Sequence, residues 1–264
     1  MSITGCKFID NGDNGKSKIL ISGSCVGLEF DSCEVKYSNI QQSSQAISLT
    51  VNWAFTLTNT NFTNCTTSNA ASVLFTQQKE GSSVTIKKCH YLNFKAGNFV
   101  IQMTGGNSVV SECSFTFDKN DANSACGGVK YQGNGFSCTY CSFVRTYSSG
   151  ALTVTQNNNQ KDLVEVSNCV FDDCGGGNIR CFSLTTFTPS LTFINNEIKN
   201  MKTISKYFGS INCNQQVETL EFGQITFIDN ACNALYGGGT GLWITGASTF
   251  YFNDCKFINN VALT

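Results

Sequence analysis

The chain is expected to fold as an all-β solenoid, a parallel β-helix in which coil follows coil along one axis. Three observations lead there. The hexapeptide CKFIDN at Cys6 returns as CKFINN at Cys255. Related motifs begin between them at Cys33, Thr60, Cys89, Cys113, Cys141, Cys169, Asn196 and Ile225, in steps of 24 to 30 residues, and a recurrence of that length marks stacked repeats. Within each repeat, apolar and polar residues alternate with a period of two, as in a strand with one buried face.

The same stretches justify each coil. Five and three residues before the anchor stand pairs such as Leu28 and Phe30, Phe55 and Leu57, Val84 and Ile86, Val164 and Val166, and Leu220 and Phe222. Two residues after it stand Phe8, Val35, Phe62, Tyr91, Phe115, Phe143, Phe171, Ile198, Phe227 and Phe257. A further short strand follows most motifs, as in KILIS (18–22), GALTV (150–154) and GLWIT (241–245). Each coil of about 28 residues thus holds three strands of three to five residues. Propeller blades need four antiparallel strands and longer periods, and the Leu and Asn signature of leucine-rich repeats is missing. Stacked at about 4.8 Å, ten coils would rise on the order of 45 Å. About 40 inward side chains, each contributing about 1.5–3 kcal/mol of transfer free energy, make a self-sufficient core, although one coil alone is too small.

The ten repeats fill residues 1–264 as one domain. The sequence enters and leaves within a repeat, so it reads as a segment of a longer solenoid. Its net charge is −1 and only 13% of residues are charged, with no basic stripe for nucleic acid. No stretch approaches the roughly 18 apolar residues of a membrane span. The opening MSITGCKFIDNG has no signal-peptide pattern.

Fifteen cysteines are an odd number, so at least one is unpaired within the monomer. Seven share the anchor position (Cys6, Cys33, Cys89, Cys113, Cys141, Cys169, Cys255), which predicts a ladder of buried, reduced thiols acting as small hydrophobes. In-register neighbours have the distance for a disulfide but the wrong directions. Cys174, Cys181, Cys213 and Cys232 fall near turns and could pair. Cys138 and Cys141 form a single C-x-x-C with both positions inward, so no metal or cofactor is expected.

The C-x-F-x-x-N stretches (CKFIDN, CKFINN, with the looser CSFTFD and CVFDDC), each followed by a Gly-led strand, resemble the pectin lyase-like right-handed β-helix superfamily. Within it they are most similar to the repeats of polymorphic outer-membrane proteins and protist surface proteins. Those families pair F-x-x-N with G-G-A-[ILV], which is degenerate here (GGVKY, GGGNI, SGALT). The resemblance implies right-handedness, an extracellular or cell-surface location and a stalk or adhesin role, with surface glycans or host or neighbouring-cell proteins as partners.

The resemblance also implies an alternative, a polysaccharide lyase or glycoside hydrolase, since members of that superfamily use Asp clusters, often beside Arg or Lys. The register yields one such cluster: Arg145 and Asp173 at equivalent positions of adjacent coils, Asp172 stacked on Lys199, and Asp118 one coil earlier. The plainer reading is cross-strand charge pairing, worth roughly 0.2–1 kcal/mol per pair, as for Lys7 over Glu34. His90, the only histidine, stacks between Asn61 and Ser114. No nucleotide loop, HExxH or G-x-S-x-G motif is present. Trp243 and Tyr131 are read as outward aromatics able to stack on sugars. Asn61-Phe-Thr and Asn64-Cys-Thr are glycosylation sequons.

Overall fold

The computed structural model describes residues 1–10, 21–37, 47–65, 73–93, 99–117, 127–146, 150–156, 162–174, 182–184, 188–203, 211–213, 217–233, 242–244 and 247–263. It is an all-β solenoid in which every strand pairing among these residues is parallel. Each anchor motif contributes one strand, starting one residue after the anchor, to a ten-stranded sheet that runs from Lys7–Asp10 to Lys256–Ile258. Register carries Phe62 onto Tyr91, then Phe115, Phe143 and Phe171, with Ile198, Phe227 and Phe257 beyond.

The other strands form two tiers of a seventeen-stranded sheet. One tier precedes the anchors, as in Ser83–Lys87 and Asn107–Ser111; the other includes Phe99–Thr104 and Leu152–Gln156. Strand length departs from expectation in two early coils. Ile21–Asp31 and Ile47–Thr58 run 11 and 12 residues through both tiers, because no loop separates the tiers there and the bend is absorbed by a register shift between Cys25 and Gly27. A third sheet joins Lys202–Thr203, Ala231–Asn233 and Val261–Leu263.

Inside, the rings of Phe62, Tyr91, Phe115, Phe143 and Phe171 stack with centroids 4.8 to 5.1 Å apart and planes within 8°. That spacing is the strand separation itself, so the backbone dictates a parallel stack where free rings prefer offset or edge contacts. Val35 and Ile198 interrupt the aromatic column with aliphatic rungs. In the last repeat Phe250, Phe252 and Phe257 are about half exposed, since no further coil covers them.

Between the tiers and the anchor sheet the chain turns a corner without losing the ladder. The residue before the anchor is left-handed in all ten repeats: Gly5, Ser32, Asn59, Lys88, Glu112, Tyr140, Asn168, Asn195, Gln224 and Asp254, with φ from 48° to 66°. A non-glycine residue spends about 1–2 kcal/mol in this conformation. What holds it there is its N–H, which still donates to the next coil: Ser32 to Thr58 O at 3.1 Å, Tyr140 to Ser167 O at 3.1 Å, and Gln224 to Asn253 O at 2.8 Å.

Phe143 lies fully buried between Phe115 and Phe171. Phe143→Asp would place a charge there without a partner, and is expected to abolish the cooperative melt of the full-length protein. A native-like thermal transition for that variant would refute the register.

Candidate functional site

The residues that recur in the motif have a structural task at each corner. An anchor thiol donates to the carbonyl two residues back: Cys33 to Asp31 O at 3.1 Å, Cys113 to Ser111 O at 3.2 Å, and Cys169 to Ser167 O at 3.3 Å. The same sulfurs reach the preceding coil, Cys113 to Ile86 O at 3.7 Å and Cys141 to Val110 O at 3.6 Å. Where the anchor is Thr60, its hydroxyl donates to Thr58 O at 2.8 Å. Where it is Asn196, the amide donates to Val166 O at 2.9 Å and accepts from Cys169 N at 2.8 Å. Cys, Thr and Asn interchange because each offers a short donor to a corner carbonyl that water cannot reach.

A second corner lies four residues after the anchor, left-handed at Asn64, Asn93, Arg145, Asp173, Asn200, Asp229 and Asn259. The next residue seals it. Asn230 donates to Ile198 O at 3.0 Å and accepts from Met201 N at 2.9 Å; Asn260 accepts from Asn230 N at 3.1 Å and donates to Phe227 O at 2.9 Å. Cys174, in the equivalent place, donates to Phe143 O at 3.3 Å and accepts from Thr146 at 3.0 Å. The final Asn of C-x-F-x-x-N is therefore a corner residue.

Several of the thiols are held protonated as donors. Burial pushes Cys174 up to about 11 and Cys65 higher still, and the hydrogen bond with Cys113, then burial, raises Cys89 far above the usual thiol range. Among the described residues, eight cysteines are buried and free: Cys33, Cys65, Cys89, Cys113, Cys138, Cys141, Cys169 and Cys174. Cys126 and Cys181 lie outside the described residues, while Cys213 and Cys232 belong to strands.

The proposed Arg145 cluster is only partly assembled. Arg145 and Asp173 do hold equivalent corners, and their N–H groups donate to Asp172 O and Lys199 O. Asp172 pairs in register with Lys199. Its carboxylate accepts from Asn200 at 2.8 Å and lies 4.0 Å from the Lys199 ammonium, which is closer to Glu197 at 2.7 Å. The hydrogen bond to Glu197 raises the Lys199 pKa. Asp118 lies outside the described residues. Lys7–Glu34 at 3.2 Å and Lys87–Glu112 at 3.0 Å are the same kind of contact between stacked coils. Among the described residues, no group of three or more His, Cys, Asp or Glu side chains is placed to hold a metal ion. His90 is exposed and hydrogen-bonded to Ser114 at 2.8 Å, between Asn61 and Ser114 as the register requires.

Tyr131 requires correction: it does not face outward. It is fully buried, its hydroxyl donates to Gly106 O at 2.6 Å, and its ring stacks on Phe136 at 4.9 Å. Register aligns it with Met103 and Val154, both buried, and glycines make room for the phenol: a side chain at Gly133 would collide with the Tyr131 hydroxyl. Trp243 stands in register with Asn212, in a column continued by Ser183, Thr153 and Lys130.

Sequence reasoning missed the exposed aromatics Trp53, Tyr140 and Tyr251; Trp53 is the most exposed of them at 68%, and Val26 on the adjoining strand is exposed as well. Strict alternation through Ile47, Leu49, Val51, Phe55 and Leu57 assigns Trp53 inward, but the bulge turns it out. The alternation itself carries no signal of this, since Asn52 keeps the polar phase of Ser48, Thr50 and Thr56. Asn61, the first sequon, is an exposed strand residue, whereas Asn64 is half-buried at a corner, its N–H donating to Leu92 O.

No protein-family model matches the chain, and no curated protein or solved structure is significantly similar to it.

Two outcomes follow from the corners. In protein kept under reductant, the eight buried thiols should resist an aromatic disulfide reagent until denaturant is added, as counted by chromophore release. Asn230→Leu strips the Met201 N–H of its acceptor and the Ile198 carbonyl of a side-chain donor, and should lower unfolding free energy by about 1–3 kcal/mol in urea titration.

Proposed function

We propose that the chain is a non-enzymatic rod from an extracellular or cell-surface protein, a stalk or adhesin meeting surface glycans or proteins of a host or neighbouring cell. On this reading its solenoid is right-handed and of the pectin lyase-like kind, nearest to polymorphic outer-membrane protein repeats. The observation that carries the proposal is how the motif's polar groups are used. Its Cys and Asn side chains close corners, and the candidate acidic cluster takes part in charge pairing, Asp172 with Lys199 across coils and Lys199 with Glu197 along one strand. The surface left for recognition is the outward sheet face and the ridge made by Val26 and Trp53. There an exposed indole sits beside Asn52, which donates to Ser24 at 2.6 Å. A flat aromatic ring flanked by amide and hydroxyl groups suits the faces and edges of a sugar.

The purified chain should bind members of a panel of neutral and acidic glycans without consuming them, and Trp53→Ala should weaken that binding at least tenfold while leaving the melt unchanged. Release of soluble product, with or without Ca²⁺, that disappears in Arg145→Ala would overturn the proposal in favour of a polysaccharide lyase or hydrolase.

A further inference from the structure

We propose that Cys138 and Cys169 are a cross-linking pair, which in an oxidising medium forms a disulfide stapling two successive coils. Their sulfurs lie 3.9 Å apart and both side chains are buried. The juxtaposition follows from the repeat. Each anchor thiol approaches the carbonyl of the residue three before the anchor in the preceding coil: Cys89 that of Leu57 at 3.6 Å, Cys113 that of Ile86 at 3.7 Å, Cys141 that of Val110 at 3.6 Å, and Cys169 that of Cys138 at 3.5 Å. The residues holding that position through the ten repeats are Ile3, Phe30, Leu57, Ile86, Val110, Cys138, Val166, Phe193, Phe222 and Phe252. Only one of them is a cysteine, so only at this rung does an anchor thiol meet a sulfur from that strand position rather than from another anchor.

Geometry separates this pair from its neighbours. Cys113, Cys141 and Cys169 leave successive coils from equivalent positions and point the same way, whereas a disulfide needs its two Cβ–S bonds turned about 90° to each other. Cys138 comes from a strand, Phe136–Thr139, and Cys169 from the corner ahead of Val170–Asp172. Two different directions converge on one point.

The chemistry balances with an external small-molecule disulfide such as oxidised glutathione. The Cys169 thiolate attacks one glutathione sulfur, the glutathione S–S bond breaks, and one glutathione leaves as thiolate and takes a proton. The Cys138 thiolate then attacks the Cys169 sulfur of the mixed disulfide and expels the second glutathione, which is protonated in turn. Two protein thiols are oxidised by two electrons and one external disulfide is reduced to two thiols. Because both sulfurs are buried, exchange takes place while this rung is open, during folding. The bond closes a loop of 31 residues and ties two neighbouring coils side chain to side chain. The inference does not depend on what the outer surface binds.

The test is to refold the full chain in a glutathione redox buffer, alkylate, digest and map the peptides by mass spectrometry. A peptide pair joining positions 138 and 169, two hydrogens lighter than its reduced form and missing in Cys138→Val and Cys169→Ser, is the expected result. Oxidised protein should melt roughly 5–10 °C above reduced protein, a difference that Cys138→Val removes. Both variants fit the fold: Val110 and Val166 occupy the 138 position in the flanking coils, and Thr60 shows a hydroxyl serving at an anchor. Folded protein in which both thiols are fully alkylated, or in which Cys141 is the linked partner, would overturn the proposal. Should the chain not refold, natively purified protein held with oxidised glutathione in sub-denaturing urea gives the same two decisive maps.

Discussion

The parallel backbone ladder, carried without a break around the corners of each coil, is the constraint from which the other features descend. A parallel ladder with uniform register brings residue upon residue at one spacing. Side chains have no choice of vertical neighbour. The rings from Phe62 to Phe171 stack face to face at 4.8 to 5.1 Å because their strands do. Lys7 meets Glu34 and Lys87 meets Glu112 for the same reason. A sequence that satisfies one coil is under pressure to repeat itself in the next, since each position is judged mainly by its equivalents above and below.

Corners are where such a ladder is most easily lost. A strand that turns inward leaves carbonyl groups facing the core, and an unpaired buried carbonyl costs about 1–3 kcal/mol. Here a left-handed residue keeps the ladder bond to the next coil, and at every anchor but the apolar Ile225 a short side-chain donor gives a corner carbonyl a further hydrogen bond. Cysteine suits that donor role because a thiol is a weak hydrogen-bond donor on an otherwise apolar group, so burying it carries little desolvation penalty. Asn does more: Asn196 and Asn230 each serve a carbonyl and an N–H at once. The abundance of cysteine in this chain is thus first a matter of corner geometry.

Position within the repeat was legible because side-chain period and coil period agree. Phe8 through Phe257 form the predicted column, and Arg145, Asp172, Asp173 and Lys199 stand at the predicted levels. What could not be read is whatever breaks the period. Trp53 has inward parity, yet a register shift one coil away rotates it to the surface. Tyr131 lies inward beside Gly133, where any side chain would collide with its hydroxyl, and alternation does not announce that space. The corner roles of Cys and Asn were hidden for a different reason. Alternation says which way a side chain points and nothing about which carbonyl waits for it.

These irregularities bear on where recognition can reside. Inward positions are held by their stacking partners, and outward strand positions lie 4.8 Å from like positions in the next coil, so a large projecting side chain there competes with its neighbours. The outward column Glu29, Thr56, Thr85, Val109, Ser137, Glu165, Thr192 and Glu221 is accordingly free of large rings until its last described member, Tyr251, which is 58% exposed. A bulge removes the competition, because the extra residue belongs to no column and its backbone is exempt from the ladder. Trp53 is displayed at such a place, and the exposed Val26 stands opposite the bulge on the neighbouring coil. A solenoid that must keep its register can therefore vary its surface chemistry most freely where one coil steps out of phase with the next, and there this chain has put its exposed indole.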